Sequence, residues 1–150
     1  MARTPPFSRQ SNPALLNSAS FVIVSIGIDI IEIARVREVL RRTPRFRERV
    51  FTAGERAYCD ARGAAAAQHY AARFAAKEAA LKALGTGWSG RIAWQDVEVV
   101  SEESGAPALL FHRCAGEVFK QRGATVAHLS LSHTAEHAVA QVILERLPAD

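Results

Sequence analysis

The segment from Ala65 to Leu84 constrains the fold more than any other part of this chain. On a helical wheel of about 3.6 residues per turn, Ala72, Ala75, Ala76, Ala79, Ala80 and Ala83 fall on one broad arc. Alanine ends at Cβ, so a helix with such a face can approach its neighbour closely. We expect that face to pack against a sheet, and Gly85 to end the helix. The opposite arc carries Arg73, Phe74, Lys77, Glu78, Leu81 and Lys82, and its charges are expected to face outward.

The flanking segments supply the sheet. Phe21 to Ile31 is β-branched and apolar, which predicts a buried strand. Ala34 to Arg42 suits a helix that stops before Thr43-Pro44. Thr52 opens another, with Glu55 in capping-box position, and this helix fades at Arg62-Gly63. Gly85 to Gly90 reads as a flexible loop. Strands are expected over Ala93 to Val100 and Ala106 to Phe111, joined by a turn at Glu103-Ser-Gly105. After a helix from Cys114 to Gln121, Thr125 to Ser132 and His137 to Leu144 form a hairpin. Strands and helices do not alternate regularly, so the fold class is α+β, an antiparallel sheet packed against the long alanine-rich helix. Residues 1–20, rich in Pro, Ser and Asn, are expected to be a disordered tail, and 21–150 a single domain.

Composition narrows the function. A chain of 150 residues builds one modest core. Its two cysteines, Cys59 and Cys114, form no metal-spaced motif, so free thiols in a reducing, cytoplasmic setting are expected, without zinc. The apolar run Phe21 to Ile28 ends at Asp29, well short of a membrane span. The first 28 residues hold no acid, but Pro5, Pro6 and Pro13 would interrupt an amphipathic transit helix. The net charge of +4 concentrates in Arg35, Arg37, Arg41, Arg42, Arg45, Arg47 and Arg49, against only Glu38 and Glu48. That run is either a solvated helix face or a docking surface for an acidic partner.

Two carboxylates stand out. Asp29 interrupts a strand that otherwise asks for burial, and an unpaired buried charge is costly. It requires a structural partner such as Arg35 or Lys82, a metal, or exposure at a strand end. Glu78 with Lys82 has the spacing of an ordinary surface ion pair. Together, however, two carboxylates on separate elements beside cations suit Mg²⁺ shared with substrate phosphates. A third polar cluster, Ser130-Leu-Ser-His-Thr134, lies at a strand end, where it could bind phosphate oxygens or serve as a solvated turn. No phosphate-binding glycine motif and no nucleophile elbow accompany it. The Arg run also admits a nucleic-acid-binding module, although no aromatics of a reader motif are interleaved with it.

Four stretches in series carry a resemblance. They are Gly27-Ile-Asp-Ile-Ile-Glu-Ile-Ala-Arg35, Phe51-Thr-Ala-Gly-Glu55, Arg73-Phe-Ala-Ala-Lys-Glu-Ala-Ala-Leu-Lys-Ala-Leu-Gly-Thr-Gly87 and Leu129-Ser-Leu-Ser-His-Thr134. In order and spacing, from about residue 22 onward, the chain resembles the holo-acyl-carrier-protein synthase family, the short 4′-phosphopantetheinyl transferases. The resemblance implies transfer of phosphopantetheine from coenzyme A to a serine of an acyl carrier protein, with release of 3′,5′-ADP. It implies that Asp29 and Glu78 hold Mg²⁺, or Mn²⁺ in its place, and that Lys82 stabilises the pyrophosphate. Arg73, His133, Ser132, Thr134 and Gly87 match positions near the coenzyme. The acidic carrier protein would dock along Arg35 to Arg49, and the short family members are homotrimers with sites between subunits. No membrane and no nucleic acid enter this reading. The carrier, of fatty-acid or polyketide type, is left open, as is the serine's base: a metal-bound water, Glu78 or Asp29. Trp88 has no family role.

Overall fold

The computed structural model describes residues 21–87 and 90–149; the expected tail and Trp88 lie outside the described residues. β1 (Val22–Glu32) leads directly into α1 (Ile33–Arg42). Thr43-Pro44 does end α1, but Pro44 then opens a short second helix, α2 (Pro44–Val50). Proline at the first helical position loses no hydrogen bond and is preset in φ. α3 (Ala53–Asp60) has the capping box: the Glu55 backbone N–H donates to Thr52 Oγ1, and Glu55 Oε2 accepts from the Thr52 N–H. A 3₁₀ turn (Gly63–Ala65) leads into α4 (Ala66–Leu84), which ends at Gly85 with φ 75°.

The expected strand from Ala93 is shorter. Trp94–Asp96 form a 3₁₀ turn, because the Asp96 carboxylate accepts from the Ala93 N–H and diverts the backbone from the ladder. β2 (Val97–Ser101) then pairs with β3 (Pro107–Phe111). α5 (Arg113–Gln121), β4 (Val126–His133) and β5 (His137–Arg146) complete the chain. β4, β5 and β1 form an antiparallel sheet with β5 in the centre. The fold is α+β, as the residue pattern implies.

The sheet meets α4 through small residues. Along β5, Ala138, Ala140, Val142 and Leu144 alternate inward against the buried alanines of α4. On β1, Gly27 comes so close that a Cβ there would lie 1.9 Å from the Ala79 carbonyl oxygen. No side chain fits at that position, so glycine sets the strand-to-helix spacing.

Two expectations of burial are corrected. β1 is an edge strand with one covered face: Ile26, Ile28 and Ile30 are 55–63% exposed, and Ile23 is similarly open. A register shift between Ile23 and Ser25 switches the parity, so Ser25, Gly27, Asp29 and Ile31 point inward. The charged arc of α4 is not uniformly outward either. Arg73, Lys77 and Leu81 are buried, because α1, α3 and β2 cover that side of the helix. Lys77 is fully enclosed and paired with Glu55.

Candidate active site

The inward parity of β1 places Asp29 two residues beyond Gly27 on the face that meets α4. Its side chain is 17% exposed, and Oδ1 lies 3.0 Å from Lys82 Nζ. Lys82 also donates to the Ile28 carbonyl at 2.9 Å, which ties the last turn of α4 to the strand. The Asp29–Lys82 pair is thus one of the structural partnerships the sequence allowed. It is not the whole environment, because Glu78 stands one helical turn before Lys82.

Glu78 holds its proton more tightly than an ordinary carboxyl. Burial is the first cause, the Asp29 charge adds to it, and Lys82 opposes both. Asp29 and Glu78 therefore share one site in which the Lys82 ammonium bonds Asp29, and a divalent cation would relieve the repulsion between the two carboxylates. Among the described residues no cluster of three or more His, Cys, Asp or Glu side chains could hold a metal. Mg²⁺ does not need one: it accepts one or two protein carboxylates and fills its other positions with water and phosphate oxygens. Asp29 and Glu78 fit that demand.

Asp29 and Glu78 open onto a cavity of about 430 Å³ that Arg35 also lines. Its wall is apolar: Val36 and Val39 of α1, Phe46 of α2 and Phe74 of α4. Phe46 and Phe74 contact each other, and Phe74 packs on Trp94. Phe46 carries little signal in the sequence beyond standing alone among arginines. Of the Arg run, Arg41 and Arg42 pair with Glu38, and Arg47 pairs with Asp60 and Tyr70. Arg35, Arg37, Arg45 and Arg49 are exposed.

Arg73 and His133 come together elsewhere, in a cavity of about 270 Å³ that shares no lining residue with the first. Ser130, from the polar cluster read in the sequence, lines it too, as do Tyr58 and His69, which the sequence did not single out. The lining holds no carboxylate. His69 gives up its proton more readily than usual, first through burial and then through the charges of Arg73, Arg62 and His133. The other expected coenzyme contacts are placed differently. Ser132 is exposed opposite Val139, and the Thr134 hydroxyl accepts from the Glu136 and His137 N–H groups of the hairpin turn. Gly87 is exposed with φ 51°.

Residues 25–142 match the family model of the 4′-phosphopantetheinyl transferase superfamily. The holo-[acyl-carrier-protein] synthases of Koribacter versatilis and Geobacter sp. (strain M21) are 47% and 48% identical to this chain. Those matches cover 83% of it and 99% and 100% of the two relatives. A crystal structure of the Bacillus anthracis holo-(acyl-carrier-protein) synthase in complex with CoA (3′,5′-ADP) is similar over 83% of this chain and 97% of its own. There the identity is 40% and the TM-score 0.69. The Helicobacter pylori synthase in complex with coenzyme A is 30% identical with a TM-score of 0.68, over 79% of this chain and 98% of its own.

Proposed function

Because this chain belongs to the holo-acyl-carrier-protein synthase family of the 4′-phosphopantetheinyl transferase superfamily, we propose the following reaction for it. A serine Oγ of an acyl carrier protein attacks the phosphorus that carries pantetheine in coenzyme A. The bond from that phosphorus to the bridging oxygen breaks, and 3′,5′-ADP leaves. The observation that carries this reading is the meeting of Asp29 and Glu78, from separate elements, with Lys82 at 3.0 Å from Asp29.

Asp29 and Glu78 would hold Mg²⁺, with Mn²⁺ as the alternative. When bound, the ion neutralises charge on the pyrophosphate and polarises the attacked phosphorus. Lys82 supplies a positive charge to the departing phosphate. The serine proton would pass to a metal-bound water, to Glu78 or to Asp29. Arg73 and His133 would take the phosphate-bearing nucleotide end of the coenzyme in their acid-free cavity. The exposed arginines of α1 and α2 would steer an acidic carrier protein.

A mass-shift assay tests the reaction. Carrier protein mixed with coenzyme A, Mg²⁺ and this chain should gain the mass of phosphopantetheine. A chain that binds coenzyme A yet modifies none of several carrier proteins is a binder and not an enzyme. The nucleic-acid reading is weakened by the arginines already committed to ion pairs. Among the described residues no helix is long and apolar enough to cross a membrane, and a cytoplasmic role in lipid or fatty-acid biosynthesis accords with the family.

The homotrimer expected from the resemblance is supported by two features. The site residues divide between two cavities, and the outer face of β1 leaves a row of isoleucines uncovered. Light scattering should report about three chains per particle. A fully active monomer would overturn the trimer and leave the reaction standing.

A further inference from the structure

Arg73 is an unusual buried cation. Only 4% of it is exposed, yet no carboxylate pairs with it among the described residues, and its Nε has no hydrogen-bond partner. Buried charges are ordinarily paired, because an uncompensated one costs several kcal/mol. What Arg73 has is an aromatic ring: its guanidinium carbon lies 3.8 Å from the Tyr58 ring centroid. The guanidinium of Arg62 lies 4.2 Å from the same centroid, and His69 meets the ring edge-on at 5.6 Å.

We propose that Tyr58 is a positioning residue for coenzyme A, its ring holding the buried Arg73 guanidinium so that the N–H groups stay uncommitted for a phosphate of the nucleotide. A carboxylate in the same place would hold Arg73 too, but would occupy its donors and cancel the charge the ligand needs. The ring attracts the cation through its quadrupole and accepts no hydrogen bond from it. The local structure explains how Tyr58 gets there. It lies near the end of α3, and the turn at Gly63, with φ 56°, reverses the chain so that α4 returns beside it. The Tyr58 cavity is lined by Arg73, His69 and His133 without an acid, so it suits a phosphate and repels a cation. The His69 pKa is lowered first by burial and then by the charges of Arg73, Arg62 and His133, and a bound phosphate would offset the second cause.

This inference rests on the coenzyme A reading above, and the test separates the two. Full-length protein is assayed with coenzyme A and carrier protein, and binding of 3′,5′-ADP is measured directly by calorimetry. Tyr58→Leu should raise KM for coenzyme A and Kd for 3′,5′-ADP by roughly five- to tenfold, with kcat within about twofold of wild type. Tyr58→Phe keeps the ring and should restore both constants. Unchanged KM and Kd in Tyr58→Leu would overturn the proposal. So would a fall in kcat and thermal midpoint with KM unmoved, which is what a purely structural role predicts. A Phe variant as impaired as the Leu variant would also count against it, by assigning the effect to the hydroxyl. Wild-type protein that transfers nothing and does not bind 3′,5′-ADP would remove the coenzyme reading, and the inference with it.

Discussion

Glu78→Gln is expected to lower phosphopantetheine transfer by roughly a hundredfold or more, since it removes one of the two charges proposed to hold the metal. The side chain keeps its size, so the fold should survive, and a stability measurement separates function from structure. The folded pKa of Glu78 lies above its unfolded value, through burial first and Asp29 next, with Lys82 opposing. Such a carboxyl binds its proton more tightly in the fold than out of it. Its ionised form therefore subtracts stability above the folded pKa, and that deficit disappears as pH falls below the unfolded value of about 4.3. Glutamine cannot ionise. At neutral pH, without metal, the variant should melt at or above the wild-type temperature, and the difference should vanish in acid. Transfer at the wild-type rate would refute the metal role assigned to Glu78. A loss of activity accompanied by a much lower melting temperature would instead make it a structural residue.

The same pair shows how far the sequence carries. Local signals were legible: the Thr52–Glu55 capping box, the Gly85 stop and the β4–β5 hairpin are each encoded within a few neighbouring residues. Asp29 was legible as an anomaly, because a charge within an apolar strand needs an explanation. The outer face of β1 was not, since isoleucines demand burial without saying which surface supplies it, and in one chain none does. Lys77 misled for the complementary reason. Its place on the wheel argued for solvent, while α3 and β2, from distant parts of the chain, close over it. Tyr58 and His69 carry no motif at all. They gain meaning only when the Gly63 turn brings α3 and α4 together around Arg73.

Lys77 and Glu55 should prove the most sensitive polar pair in the fold. Both side chains are fully buried, with Nζ 3.0 Å from Glu55 Oε2. Lys77 also donates to the carbonyls of Trp94 and Val97, and the remaining Glu55 oxygen accepts from the Val99 N–H at 2.8 Å. One ion pair thus joins α3, the 3₁₀ turn and β2 to the middle of α4. Burial pushes the Lys77 pKa down, and Glu55 opposes that shift. Each charge is therefore tolerated chiefly because the other is present. Lys77→Met leaves a carboxylate enclosed without its cation and should cost about 3–5 kcal/mol. Urea unfolding reads this as a lower midpoint with an unchanged slope. Glu55→Gln should also destabilise, by stranding the ammonium. The double variant Lys77→Met with Glu55→Gln strands neither charge, so it should recover much of the loss, and it serves as the readout if the lysine variant does not fold. A Lys77→Met midpoint equal to wild type would mean that the pair contributes nothing. Lys77 points away from Glu78 around the helix, toward β2 and not toward the Asp29 cavity. The folded double variant should accordingly keep most of its transfer activity, while Glu78→Gln keeps its fold and loses it.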